Sequence, residues 1–565
     1  RYFGLELTSE QWQAVRKLTT TDMTPPALQS LVNEAERLAG EQHFFHWELA
    51  FPEIFFDADG QPKQTPGFDA VVGNPPYVRQ ERIQPIKPFL QQYYEIYSGT
   101  ADLFLYFYEL GLQFVKEAHR LGYITSGTYM NSNSAKPFRQ YIHDNAGMEW
   151  VANFGENQPF RGAEMVYPTI AVMRSHTANN TFNNLFMEGN VPFSDLQSTL
   201  EKGDWVDSLS EATGFDEWRF QPAELTFLFS KIIHDRTSLD AYLAGRMYSG
   251  IKTGLNEAFV VDTATFKELV TKHSSSSEIL QPILRGQDLR PWHYQESGSY
   301  LILAKQGLDI ESYPAIKEHL EKYRNRLERR TDTFDEWYEL RPCDYYDAFE
   351  GQKIIWPDIS KLPRFSWNEG AYLNNTGFFI SGVNFAFLAL LQSRVLWFAM
   401  SQLAQPLRLR AGLWQFRVIP QFVERLPIPD LMPQQESDLA AIAEEITGLA
   451  RSRYQLHENF RQTLRNEFNG DEISTRVALY RWWELSDEKA LSDEVSRRFG
   501  VEIPLGKRSD WRGYLAEETG KHQQLTQQII TLETRMNEIV YDAFDLTPEE
   551  RQLIEETTKY PYGEV

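Results

Sequence analysis

Cysteine is almost absent: Cys343 is the only one in 565 residues. A lone thiol excludes a disulfide framework and any multi-cysteine metal site, and it fits a reducing cytosol, so a cytoplasmic location is expected. Long apolar runs are missing too. No stretch is apolar enough to span a bilayer and no signal peptide is recognisable, so no membrane partner is expected. None of the 11 histidines pairs with cysteine or carboxylate at metal-ligand spacing, which leaves no metal centre to expect. Positive charge is in deficit, and the net charge of -23 speaks at first sight against a nucleic-acid partner.

Phosphate binding, however, depends on where the charges sit rather than on their sum. Residues 316–330 hold six basic side chains (Lys317, Lys322, Arg324, Arg326, Arg329, Arg330) against three acidic ones. Residues 405–417 carry Arg408, Arg410 and Arg417 with no acid among them. Taken singly, each run reads as a solvated face, so net charge does not choose a partner.

With 42% hydrophobic and 14% aromatic residues, the chain can bury several cores, and its length suggests about three or four domains. Residues 1–50 read as mainly helical, with Thr8-Ser9-Glu10-Gln11 capping one helix and Pro25-Pro26 opening another. A strand at 68–73 ends at Asn74. A helix follows with apolar residues at Phe104, Phe107, Tyr108, Gly111, Phe114, Val115 and Ala118 on one face. Strands are expected at 121–126, 149–154 and 167–173. This order predicts an α/β unit with a largely parallel sheet, whose ligands sit beyond the carboxyl ends of the strands. After about residue 190 come short aromatic-rich strands, up to a proline knuckle at Leu426-Pro427-Ile428-Pro429. The remainder is helical. Residues 439–464 and the near-heptad Leu525, Ile529, Leu532, Met536, Ile539, Val540 predict two long helices that pair antiparallel.

The tetrapeptide Asn74-Pro75-Pro76-Tyr77 stands at the carboxyl end of the first strand. The Asn74 side-chain oxygen and the Pro75 carbonyl can each accept a hydrogen bond from an exocyclic amine. Two prolines remove two N–H donors, so the loop offers acceptors to its guest. The Tyr77 ring offers a face on which a base can stack. This is chemistry for holding a planar nitrogen nucleophile.

Residues 67–82, GFDAVVGNPPYVRQER, resemble the amino-group DNA methyltransferases, above all the large fused restriction–modification (type IIG-like) and phage-defence methylases. The lead-in Phe45-His46-Trp47-Glu48, then Ala101-Asp102-Leu103-Phe104 and Gly122-Tyr123-Ile124-Thr125-Ser126, extend the likeness. Residues 153–173 resemble the loop and strand where the family sets a second aromatic against a flipped base; Phe160 matches best, Phe154 next. From Tyr248 onward, segments 250–259, 284–289, 337–341 and 353–357 resemble a TaqI-like specificity domain.

The resemblance implies an incomplete Rossmann-like methyltransferase sheet over 1–190, an α+β target-recognition domain over 191–430, and a helical spacer or docking region over 431–565. It implies S-adenosylmethionine as cofactor, double-stranded DNA as partner, and Arg285, Arg290, Arg408, Arg410 and Arg417 as DNA contacts. Asp347, Glu350 and Lys353 have nuclease residue types but fall within the specificity region and read as surface charge. A methyltransferase of this type also needs a glycine-rich loop after its first strand. Residues 1–67 contain none, and Phe154-Gly155-Glu156 and Phe499-Gly500-Val501 lack the second glycine. With Arg1 as first residue, the expectation is the C-terminal part of a longer enzyme. Its main cofactor loop would lie on a missing N-terminal portion or partner subunit. The expected function is sequence-specific adenine N6-methylation with base flipping, in restriction–modification or phage defence. The alternatives are a methyltransferase acting on RNA or protein glutamine, and a non-catalytic DNA-recognition or assembly fragment.

Overall fold

The computed structural model describes residues 8–17, 25–130, 132–155, 157, 167–177, 181–187, 193–209, 218, 220–331, 335–404, 406–410, 412–468, 470 and 473–564. It divides into two units, Arg1–Phe227 and Leu228–Val565.

In the first unit, helix α1 (Ser9–Arg16) starts at a capping box: the Thr8 hydroxyl accepts from Gln11 N and the Gln11 side chain accepts from Thr8 N. Helix α2 (Pro26–Gln42) opens on a proline whose missing N–H is no loss in a first turn. The body of the unit is a six-stranded sheet of β1 (Phe68–Gly73), β2 (Val115–Ser126), β3 (Ala146–Asn153), β4 (Pro168–Ser175), β5 (Thr181–Phe186) and β6 (Val206–Leu209). Their order is β1-β2-β4-β3-β5-β6. β1 and β2 run parallel, as do β3 and β5. β4, however, is antiparallel to both its neighbours, and β6 to β5. The sheet is therefore mixed, which corrects the expected largely parallel arrangement. Apolar spacing along a strand has the same period in either direction, and it carries no mark of the return by which β4 inserts between β2 and β3.

The crossover from β1 to β2 is helix α3 (Leu103–Phe114). It stops short of Ala118 because β2 begins at the β-branched Val115. Phe104, Leu105, Tyr108 and Leu112 of α3 pack in one core with Leu121, Val151, Ala171 and Met173 of the sheet, joined by Phe138 and Ile142 of α4 (Lys136–Asn145). Each such side chain contributes about 1.5–3 kcal/mol by leaving water. Gly67 has φ 122°, and a Cβ there would lie 2.8 Å from Phe114 O, so only glycine lets the chain enter β1 this close to the end of α3.

The second unit holds strands β7 (Met247–Ser249), β8 (Val260–Asp262), β9 (Leu280–Leu284), β10 (Ser299–Ile302), β11 (Gln352–Pro357), β12 (Ile359–Ser360), β13 (Ser366–Glu369), β14 (Tyr372–Leu373), β15 (Gly377–Ser381), β16 (Pro406–Arg410) and β17 (Leu413–Arg417). They form sheets β14-β9-β10-β8, β13-β11-β15-β7 and β12-β17-β16. Helices α5 (Phe385–Gln392) and α6 (Arg394–Leu403) follow β15. The C-terminal region is α7 (Pro433–Phe468), α8 (Glu488–Phe499), α9 (Arg508–Ala543) and α10 (Pro548–Thr558). The long helices α7 and α9 are antiparallel, as contacts Arg453–Thr526, His457–His522 and Thr463–Tyr514 run in opposite senses. Among the described residues no single helix is long and apolar enough to cross a membrane.

Candidate active site

Asn74 is the first residue beyond β1, and the parallel pairing of Gly73 with Tyr123 sets it beside the carboxyl end of β2. Asn74 and Pro76 are exposed while Pro75 is buried. The loop is pinned from both sides. Val78 N donates to Pro76 O at 3.0 Å, and Val78 O accepts from Leu103 N at 3.0 Å. Asp102, which precedes α3, turns its carboxylate away from its own helix to accept from Gln80 N at 2.9 Å. The Tyr77 hydroxyl donates to Ile124 O at 3.3 Å, and its ring tilts 45° to Phe104 at 6.4 Å. That ring is still 38% exposed, and the burial of its remainder raises the phenol pKa. Neither the Asn74 amide nor the Pro75 carbonyl has a hydrogen-bond partner among the described residues. Two acceptors and one aromatic face are thus held ready at one strand end.

Beneath the motif, Tyr108 and the buried Thr125 share a hydroxyl hydrogen bond of 2.8 Å. Gly127 N donates to Tyr167 O at 2.8 Å, which brings Tyr167, its ring 44% exposed, to the same end of β2. The sequence reading missed Tyr167; the available signal was an aromatic residue directly before Pro168 at a strand start. Phe160 lies outside the described residues. Phe154 is 1% exposed and packs with Ala152, Leu185 and Met187, so it has no free face for a base.

The five arginines singled out from the sequence fall into two settings. Arg285 donates to the Asp288 carboxylate from Nε and Nη2, both at 3.1 Å. Arg290 donates to the carbonyls of Gln287 and Leu289 and to Gln295 Oε1. Both guanidiniums thus serve the turn after β9. Arg408, Arg410 and Arg417 instead lie exposed on the β16–β17 ribbon. Arg408 pairs with Gln415 and Arg410 with Leu413 across the strands. Because side chains alternate along a strand, these four and Arg417 share one face. Phe416 faces the other way, buried against Trp397. Gln415 Oε1 accepts from Arg408 Nε at 2.7 Å.

Three of the six basic residues of the other run face carboxylates: Lys317 pairs with Glu311, Arg324 with Glu321 and Glu328, and Arg326 with Glu257. Asp347, Glu350 and Lys353 are not brought together. Lys353 Nζ donates to Phe349 O and Gly351 O, while Glu350 faces Lys305 at 3.7 Å. Among the described residues no group of three or more His, Cys, Asp or Glu is arranged to hold a metal ion.

Residues 6–160 match the Eco57I restriction-modification methylase family. That methylase region contains Asn74 to Tyr77 and the β1–α3–β2 crossover around them. Residues 432–540 match a domain of unknown function, DUF8810, which spans most of α7 to α9. Over longer stretches the chain is similar to the type II methyltransferase M.BstVI of Geobacillus stearothermophilus, 23% identical over 65% of this chain and 67% of that one. It is also similar to the type II methyltransferase M.XhoI of Xanthomonas vasicola, 24% identical over 69% of this chain and 74% of that one. Among solved structures, the type IIL restriction-modification enzyme MmeI in complex with DNA aligns with TM-score 0.42 at 13% identity. That alignment covers 81% of this chain and 57% of that one.

Proposed function

We propose that this chain is the target-base half of a DNA methyltransferase that modifies adenine N6 with S-adenosylmethionine. The observation that carries the reading is the acceptor pair Asn74 Oδ1 and Pro75 O, unpartnered among the described residues, at the end of β1 beside the exposed Tyr77 ring. An adenine flipped out of the duplex, at a cost of a few kcal/mol, would stack on Tyr77. Its N6 hydrogens would go to Asn74 and Pro75, which turns the nitrogen lone pair away from them and toward a methyl donor. Catalysis of this kind rests on positioning more than on a strong base. Phe160 remains our candidate for the opposite face of the base.

The described residues supply no glycine-rich cradle for S-adenosylmethionine, so we assign the main cofactor site to an N-terminal portion or partner subunit. β1 supports that assignment. Among the described residues it is a sheet edge, paired only with β2, with Val72 on it 84% exposed and Phe45, which reaches Phe68 through Trp47, 60% exposed. A parallel strand added at that edge would end on the Asn74 side and bring its own following loop to the motif. Double-stranded DNA is the partner supported by the β16–β17 hairpin of the β12-β17-β16 sheet, since its exposed face carries Arg and Gln, side chains that read base edges in the major groove. We assign site reading to residues 191–430, with Arg285 and Arg290 shaping the turn after β9, and restriction–modification or phage defence as the setting.

In the complete enzyme, Asn74→Ala is expected to lower adenine methylation of duplex DNA by about a hundredfold or more, the usual cost of losing one preorganised polar contact. Methylation at the unaltered rate overturns the reading. The missing cradle also favours a second reading, a DNA-recognition or assembly fragment without activity of its own. Turnover by the isolated chain with S-adenosylmethionine and DNA would exclude it. Preferential capture of RNA or of a glutamine-bearing protein over duplex DNA would redirect the substrate.

A further inference from the structure

We propose that residues 559–564 form an internal strap, seated as a turned segment among α6, α7 and α9, that holds the Trp292 turn against the helices. α10 ends at Lys559 in a left-handed cap with φ 52°, and the chain then turns back along three charged side chains. Arg394 of α6 donates from Nη1 to Thr558 Oγ1 at 2.8 Å and from Nη2 to Tyr560 O at 2.6 Å. Its guanidinium lies 4.3 and 4.1 Å from the ring centres of Tyr560 and Tyr562. Arg453 of α7 donates to Gly563 O at 3.0 Å and Glu564 O at 2.9 Å. Glu533 of α9 accepts from Gly563 N at 2.6 Å with one oxygen and from Trp292 Nε1 at 2.7 Å with the other.

Arg394 and Arg453 are only 3% and 2% exposed. Without the strap Arg394 keeps the Glu555 carboxylate at 2.9 Å, whereas among the described residues Arg453 keeps Thr526 Oγ1 alone. A buried guanidinium left that short of acceptors is strongly unfavourable, so the seat at Arg453 above all is made for an occupant. Gly563 fits for two reasons: its φ is 69°, and a Cβ there would lie 2.7 Å from Ile530 Cγ1. Because one carboxylate serves both Gly563 and Trp292, occupancy of the groove is transmitted to residues 290–293. That turn carries Arg290 and leads out of the Arg285–Asp288 hook. The strap holds whether or not residues 191–430 read DNA; only its consequence for target recognition rests on the function proposed above.

Hydrogen exchange followed by mass spectrometry tests this on the full chain, on a chain ending at Thr558, and on Gly563→Ala. In the shortened chain the amides of Trp292 and His293, bonded to Phe365 O and Pro291 O, are expected to exchange about tenfold faster or more. A synthetic peptide of residues 559–564 in excess is expected to restore their protection. Gly563→Ala leaves every buried charge in place and is expected to show the same change in milder form, and it decides the matter if the shortened chain does not fold. Faster exchange confined to α10, unchanged exchange at 290–293 in Gly563→Ala, or no rescue by the peptide would each overturn the strap.

Discussion

Lys353 lies wholly buried on β11 with its ammonium nitrogen on two backbone carbonyls, and burial pulls its pKa down to about 8. The unfolded chain keeps that proton to the ordinary lysine value of 10.5. Between these limits the unfolded state binds more protons than the folded one, so stability rises with pH there. Lys353→Met removes the penalty. The variant is therefore expected to gain most over wild type at pH 7, and the gap to narrow by about 2–3 kcal/mol between pH 7.5 and 10 in urea melts. A gap that stays constant with pH would place the ammonium in water after all. The same residue marks a limit of sequence reading. As a charged residue among carboxylates it reads as surface, yet its position on a central strand carries it inward. Arg290 is a partial parallel, since its half-buried position follows from carbonyls that only the folded turn presents. Asn74 is the opposite: a strand pattern ending in Asn-Pro-Pro fixes both its location and its exposure, because prolines cannot continue a ladder.

The antiparallel pairing of α7 and α9 creates an acid-sensitive seam. His457 Nε2 and His522 Nδ1 lie 2.9 Å apart, and burial holds their pKa values at about 2 and about 4. Arg453 faces both imidazoles and disfavours their charged forms, and His522, Arg461 and His293 add to the effect on His457. Both imidazoles are thus neutral when folded, whereas in the unfolded chain they take up protons near pH 6.5. Stability is present above that value and is lost as pH falls, by up to about 1.4 kcal/mol per pH unit for each imidazole. Trp483 stacks on His457 at 3.7 Å, and unfolding of the chain is followed by the summed fluorescence of its 14 tryptophans. The urea midpoint it records is expected to drop between pH 7 and pH 5, and to drop less in the double variant His457→Gln/His522→Gln. A flat midpoint in wild type would sink this account. The two long helices were legible from spacing alone, and Ile529, Met536 and Val540 are indeed buried. The sense of β4 was not legible, because direction within a sheet is set by the connection and not by the strand.

At the scale of the whole molecule, a chain of net charge -23 is proposed to bind a polyanion. The two ideas agree only if binding follows the local field of a few arginines. The β16–β17 ribbon has the required form, with Arg408, Arg410 and Arg417 exposed on one face, whereas the run at 316–330 spends Arg324 and Arg326 on nearby carboxylates. Each phosphate contact releases counterions, so log affinity falls with log salt by about 0.9 for every contact made. Replacing Arg408, Arg410 and Arg417 together with glutamine is expected to weaken duplex binding and to flatten that slope by up to about 2.7. All three side chains are exposed, so the thermal midpoint is expected to stay nearly unchanged. The matching replacement of Lys317, Arg324 and Arg326, each paired with a carboxylate, alters net charge by the same amount. It is expected to leave the slope where it was, since removing a cation already paired with carboxylates releases no counterion from DNA. Equal flattening in both triple variants would mean that overall charge governs association, and the ribbon would lose its claim to be the nucleic-acid surface.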